Sequence, residues 1–289
     1  MRVFAGIIRR ILCKPDPVTK VYSKISVLSP SELLSGRTAL ITGGTSGIGY
    51  EIAKAFIDAG CFVAITGRHQ GRIDAACKRI NEETVSKGRI VGVELNNMLV
   101  SSFQDAIDKV VNLMPSGQID ILVNNAGVLG GHFSNVDESL YDSVLDTNLK
   151  GPFFLTREVA RHMKENKIKG NILNIASASS LRPADSAYCL SKWGIRGFTE
   201  GAARSLAPYG IVVNGIAPGP TATPMLLDGE KDDISWPANL TGRMVTPQEV
   251  ASMAVILVSD MCRMVIGDIL YMTGGGGNVT NEDVTYYFD

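Results

Sequence analysis

Residues 38–56 read TALITGGTSGIGYEIAKAF, and the change of pattern within them sets the architecture of the chain. Thr38–Thr42 is a short β-branched and apolar run, the length and composition of a buried strand. From Ile48 to Ala59 the apolar residues recur at helical period, so the same stretch leaves a strand and enters a helix. Between the two stand Gly43, Gly47 and Gly49, spaced GxxxGxG. Glycine permits the tight turn and lets backbone N–H groups approach an anion at a helix N-terminus. The spacing is one residue wider than GxGxxG, yet the position between the first strand and first helix is where a dinucleotide pyrophosphate sits. An ordinary turn is the alternative, and the βα context favours the phosphate reading.

Outward from this unit the alternation repeats. Apolar runs at Phe62–Thr66, Ile90–Leu95, Ile119–Asn124, Asn171–Ala176, Ile211–Ile216 and Ile269–Met272 are nearly continuous, as strands covered on both faces are. Segments of helical period lie between them: Ile73–Ser86, Phe103–Leu113, Asn148–Glu165, Ala187–Ala207 and Pro247–Ser259. The expectation is an α/β fold, a Rossmann-like doubly wound parallel sheet of about seven strands in three layers. No composition shift interrupts 36–277, so one dinucleotide-binding domain is expected there, with an extension over 1–35 and a tail over 278–289. Ligands of such sheets bind beyond the carboxyl ends of the strands.

The second strand ends Ile65-Thr66-Gly67-Arg68-His69. An NAD site commonly places an acid there for the ribose hydroxyls. Arg68 instead suits a 2′-phosphate, with which a guanidinium pairs strongly. NADP(H) is therefore expected over NAD(H), the alternative being that Arg68 is a solvated loop charge.

Composition narrows the rest. A net charge of −1 gives no nucleic-acid footprint. The five cysteines form no CxxC pair, and the three histidines no HExxH, so no metal set is expected and a reduced, cytoplasmic chain is. Cys189, beside Tyr188, reads as a filler thiol rather than a reactive one. Residues 1–14 are basic and amphipathic, but Arg9-Arg10 breaks the apolar run, so they cannot span a bilayer. An extension packed on the body or on a neighbouring subunit is preferred to a targeting peptide or an interfacial membrane helix.

Downstream, the stretch from Asn174 to Lys192, NIASASSLRPADSAYCLSK, carries Ser177 after a strand and Tyr188 and Lys192 on a helix. Residues four apart share a helical face, so phenol and ammonium reach one small volume. A cation beside a phenol favours phenolate, which would make Tyr188 a proton donor or acceptor near neutral pH. On its own such a pair means little on any helix.

Taken together these residues resemble the short-chain dehydrogenase/reductase family over about 34–277. Thr42–Gly49 resembles its TGxxxGxG, Asn124-Asn125-Ala126-Gly127 its NNAG, and Tyr188–Lys192 its YxxxK. Pro218-Gly219 with Thr221 and Thr223 is similar to the stretch that contacts the nicotinamide end, and Met272–Gly275 to the closing strand. The resemblance implies a tetrad of Asn148, Ser177, Tyr188 and Lys192. In it Tyr188 moves the proton, Lys192 holds the nicotinamide ribose and lowers the Tyr188 pKa, and Ser177 hydrogen-bonds the substrate oxygen. Asn148 holds a water that links Lys192 to solvent. It also implies cofactor contacts from Gly43, Thr45, Ser46, Gly47, Ile48, Gly49, Arg68, Asn96, Asn125, Ala126, Gly127, Tyr188, Lys192, Pro218, Gly219, Thr221 and Thr223.

Three departures stand out. Asn96 takes the place of the family's adenine-holding Asp, and an amide still donates and accepts there. The loop from Ser177 to Tyr188 is about two residues shorter than in many members, which makes Ser179 a rival to Ser177, although the match at the strand end favours Ser177. Residues 1–35 have no family counterpart. Ala222–Val245 is expected to cover the substrate, with further walls from Val128–Phe133 and Ser179–Pro183. The expected partner is a small alcohol or carbonyl compound, with no nucleic acid. The resemblance also implies a homotetramer or homodimer through the helices of Asn148–Glu165 and Ala187–Ala207. The implied activity is hydride transfer between a secondary alcohol and a ketone or aldehyde; the alternative is a dinucleotide-binding sensor or scaffold without turnover.

Overall fold

A computed structural model of the chain describes residues 30–227 and 233–277. The membrane-helix reading of residues 1–14, the tail from 278 and most of the acidic run 228–233 lie outside the described residues. Strand and helix alternate as β1 (Thr38–Ile41), α1 (Gly47–Asp58), β2 (Phe62–Gly67), α2 (Gln70–Glu83), β3 (Ile90–Glu94), α3 (Phe103–Leu113) and β4 (Ile121–Asn124). Then come α4 (Glu138–Leu145), a π-turn (Asp146–Lys150), α5 (Gly151–Glu165), β5 (Asn171–Ile175), α6 (Ala187–Leu206), β6 (Val212–Pro218), α7 (Pro247–Val258) and β7 (Ile269–Met272). The seven strands form one parallel sheet in the order β3-β2-β1-β4-β5-β6-β7. The expected Rossmann-like doubly wound sheet is borne out.

Strand alternation distributes the core to two sides. Ala39, Ile41, Val63, Ile65, Ile121 and Val123 pack with Ile52, Phe56, Ile73, Ile80, Val250 and Ala254 of α1, α2 and α7. Their strand neighbours Leu40, Ala64 and Leu122 face the other way, onto Phe103, Ile107, Leu155, Val159 and Met163 of α3 and α5. Both faces are therefore covered, which is why the strand sequences are continuously apolar. The edge strands are the exceptions: β3 and β7 are mostly half-buried. Leu34 is fully buried and its N–H donates to Ala59 O at 2.9 Å, so packing on the body begins before Gly36.

One helix was not expected. The periodicity of Asn148–Glu165 is only the second half of a helical run that starts at Glu138, where Asp137 caps the Leu140 N–H. The π-turn interrupts that run and carries Asn148. The chain reverses direction across the sheet between β1 and β4, which opens a crevice at their carboxyl ends. No helix among the described residues is long and apolar enough to cross a membrane.

Candidate active site

The crevice is a cleft of about 370 Å³. One wall is the turn between β1 and α1. Gly43 and Gly47 have φ of +65° and +59°, a region that disfavours side chains. A Cβ on Gly49 would lie 2.4 Å from Asn125 Nδ2 and 2.6 Å from Gly43 O, so the third glycine lets α1 approach the turn. Asn125 locks the arrangement: its Nδ2 donates to Thr42 O and Gly43 O, and its N–H donates to Thr42 Oγ1 at 3.0 Å. The Ser46 hydroxyl does not cap α1 and is exposed on the cleft wall.

At one end of the cleft stand Arg68, His69 and Arg72, the last in the first turn of α2. Arg68 and Arg72 are both exposed there, and no carboxylate lines the cleft among the described residues. The neighbouring wall holds Asn96 and Asn97. Asn96 Oδ1 accepts the Met98 N–H at 3.1 Å. Asn97 is 5% exposed, and its Nδ2, like Thr66 Oγ1, has no hydrogen-bond partner in the protein.

At the other end α6 brings Tyr188 and Lys192 together with Ser177, which follows β5. Ser177 lines the cleft and Ser179 does not; Ser179 instead donates its N–H to Ser177 Oγ at 3.1 Å. Burial pushes the Tyr188 phenol above its ordinary value, and a hydrogen bond with Ser177 opposes that shift. The expectation that Lys192 lowers the Tyr188 pKa is not met. Lys192 Nζ lies 5.6 Å from the Tyr188 ring centroid and donates to Ile175 O at 2.9 Å. It is itself pushed down to about 8 by burial. Charge proximity alone lowers a phenol pKa, but desolvation acts on both groups and outweighs it here.

Asn148 and Gly49 stand behind the cleft surface; every other expected site residue lines it. Asn148 is 1% exposed, accepts the Val128 N–H at 2.8 Å and donates to Val128 O and Ser191 Oγ. Its amide is thus committed to protein partners rather than aimed at Lys192. Behind it runs a buried polar chain that motif reading missed: Asn124 Nδ2 donates to Asn174 Oδ1, and Asn174 Nδ2 to Thr199 Oγ1. That chain ties β4, β5 and α6 together beneath the site. Arg72 and Asn97 were missed as well. Arg72 lies four residues after Arg68, a spacing that would have drawn notice had α2 been placed three residues earlier.

Comparison with known proteins agrees with this geometry. Residues 37–233 match the family model described as short chain dehydrogenase. A 3-oxoacyl-(acyl-carrier-protein) reductase of Aquifex aeolicus is 34% identical over 84% of this chain and 98% of its own length. Glucose 1-dehydrogenase 2 of Bacillus subtilis is 33% identical over 84% of this chain and 95% of its own. Among solved structures, an actinorhodin polyketide ketoreductase with NADPH superposes with a TM-score of 0.76 at 32% identity, covering 84% of this chain and 97% of that one. The chain belongs to the short-chain dehydrogenase family, whose members are nicotinamide-dinucleotide-dependent oxidoreductases acting between alcohol and carbonyl groups.

Proposed function

We propose that this protein interconverts a secondary alcohol and a ketone or aldehyde, with NADP(H) preferred to NAD(H). The observation that carries the reading is the convergence of Tyr188, Ser177 and Lys192 on the cleft that the glycine turn borders. The cleft residues fit the dinucleotide. The turn has no room for a Cβ at Gly43 or Gly49, and the unpartnered Thr66 Oγ1 and Asn97 Nδ2 offer polar contacts. The charged side chains lining it are Arg68, Arg72 and Lys192, all cationic, which suits phosphates. Arg68 and Arg72 together support a 2′-phosphate clamp, and a carboxylate that would repel it is absent from the lining among the described residues.

A nicotinamide held in this cleft would supply or receive the hydride. Tyr188 Oη gives a proton to the carbonyl oxygen in reduction and takes one from the hydroxyl in oxidation. Ser177 Oγ, which lines the cleft with that phenol, donates a second hydrogen bond to the same oxygen. Lys192, held on Ile175 O, would hold the cofactor ribose and places a cation beneath the site. Asn148 braces the Val128 wall and, through Ser191, the first turn of α6.

The substrate end is bordered by Val128, Leu129, Pro224, Met225 and Leu226. Leu129, Met225 and Leu226 are exposed, which favours a neutral carbonyl compound with an apolar flank. We read Ala222–Val245 as its cover. The two ends of that segment are joined by Ala222 N–H donating to Val245 O at 2.9 Å. Exposed apolar side chains on α4, α5 and α6 (Leu140, Phe153, Leu190) support a homodimer or homotetramer, which sedimentation would reveal.

The test follows the reduced-nicotinamide absorbance with NADPH and NADH against alkyl and cyclic ketones, keto-sugars and oxo-acyl thioesters. NADPH-supported turnover of apolar ketones is expected. Preference for NADH would overturn the cofactor assignment, and silence alongside tight NADPH binding would favour a sensor.

A further inference from the structure

The loop between Ser177 and Tyr188 is held from outside by two side chains of α6 that lie just past Lys192. Trp193 Nε1 donates to Arg182 O at 2.8 Å, and Arg196 Nη1 donates to Ser180 O at 3.3 Å. The Arg196 guanidinium lies 5.5 Å from the centre of the Trp193 ring, so the two brace each other. Inside the loop, fully buried Ser180 passes the hold to Ser177. Its N–H and Oγ both donate to Ser177 O, at 3.0 and 2.8 Å.

The loop needs such support. Its only regular structure is the four-residue 3₁₀ turn Ala178–Leu181, a conformation of poor hydrogen-bond geometry that is marginal alone. Neither bracing side chain is there to fill the core, because Trp193 is 41% exposed and the Arg196 side chain 35%. Helix α6 therefore controls both halves of the oxygen-binding pair. Tyr188 is fixed by the backbone of α6, and Ser177 by a tether from the next turn.

We propose that Trp193 and Arg196 are positioning residues that set the separation of Ser177 from Tyr188, and with it the place where the substrate oxygen binds. The proposal rests on the assignment of Ser177 and Tyr188 made above. Misplacing one reacting group by about 1 Å can cost on the order of 100-fold in rate. Loosening the tether should therefore act on turnover and not on dinucleotide affinity. It should also act on proton transfer. The groups facing the Tyr188 phenol are Ser177, Cys189 and Lys192, and only Ser177 is placed by the tether.

The experiment compares the wild type with Trp193→Phe, which keeps a ring and loses the donor, with Arg196→Met, and with Arg196→Lys, which keeps a donor. Three readouts are taken: kcat and KM for the best carbonyl substrate, NADPH affinity, and amide hydrogen exchange at Ser179, Ser180 and Arg182. Trp193→Phe and Arg196→Met should lower kcat by roughly 10- to 100-fold, leave NADPH affinity unchanged and speed exchange at those amides. The acid limb of the oxidation profile, where Tyr188 loses its proton to become the base, should move to higher pH as the Ser177 hydrogen bond weakens. Arg196→Lys should restore most of the rate. Unchanged kcat and exchange would overturn the proposal, as would a parallel loss of NADPH affinity and melting temperature, the mark of general destabilisation. A wild type that binds NADPH yet turns over no carbonyl would instead refute the underlying assignment, and the proposal with it.

Discussion

Lys192→Met tests the electrostatic account of the site in a way that does not depend on the substrate. Lys192 is 6% exposed, and burial lowers its pKa from 10.5 to about 8. An unfolded lysine titrates near ~10.4. Below pH ~8 both states hold the proton, and the native state bears the full cost of a buried charge. At about 1.4 kcal/mol per pH unit, the gap between 10.5 and about 8 is worth about 3 kcal/mol. Between those two values the native state gives up its proton first, the unfolded state binds more protons, and stability rises with pH. Above ~10.4 the cost is gone. Methionine is similar in length and uncharged, but it loses the 2.9 Å bond from the ammonium to Ile175 O, worth about 2 kcal/mol for a charged donor. The net expectation is a variant about 1 kcal/mol more stable than wild type at pH 7, or about 2–4 °C in Tm. That advantage should shrink and then reverse as pH rises from ~8 to ~10.4. Denaturant unfolding of both proteins across that range, without cofactor, reads the difference directly. A difference that does not change with pH, or a variant less stable at pH 7, would refute the reasoning. The gain in stability with loss of turnover would mark Lys192 as a residue held against the interest of the fold.

Three other outcomes follow from the geometry. Arg68→Asp places a carboxylate at the proposed 2′-phosphate clamp. It should weaken NADPH relative to NADH by roughly 10- to 100-fold, the worth of a charge-assisted hydrogen bond; an unchanged ratio of affinities in titration would remove the clamp. Gly49→Ala puts a Cβ 2.4 Å from Asn125 Nδ2 and 2.6 Å from the Gly43 carbonyl oxygen. Calorimetry should find dinucleotide binding largely lost, and affinity equal to wild type would contradict the close packing of the turn. Thr199→Val leaves the Asn174 side-chain donor unpaired in the interior, so chemical denaturation should show a loss of about 1–3 kcal/mol, and a neutral result would mean the buried polar chain carries no net stability.

How much of this was legible depended on whether a pattern was local. The unit from β1 through α1 could be read outright, because apolar run, glycines and helical period follow each other within twenty residues and each has its own physical cause. Helix α4 could not. Of its residues only Val144 is buried, and the π-turn that follows inserts an extra residue, so the apolar stripe of α5 is out of phase with it. The second arginine of the cleft was hidden by a boundary: with the start of α2 placed at Ile73 rather than Gln70, Arg72 falls in a loop. The tetrad residues could be named from their motifs, but not their environments. Burial raises Tyr188 and lowers Lys192, and both Nδ2 donors of Asn148 go to Val128 and Ser191. These are properties of packing between segments far apart in sequence. That Ser177 lines the cleft and Ser179 does not is of the same kind, since it turns on how the chain folds through the 3₁₀ turn.

The central claim is that Tyr188 passes the proton that accompanies hydride transfer, and Tyr188→Phe tests it most directly. The substitution keeps the ring and removes only the hydroxyl, so wild type and variant should bind NADPH equally well. General acid catalysis contributes on the order of 10²–10⁴ in rate, and oxidation of NADPH by the best carbonyl substrate should fall by that much in the variant. A Tyr188→Phe protein that binds NADPH normally and keeps a wild-type kcat would contradict the account.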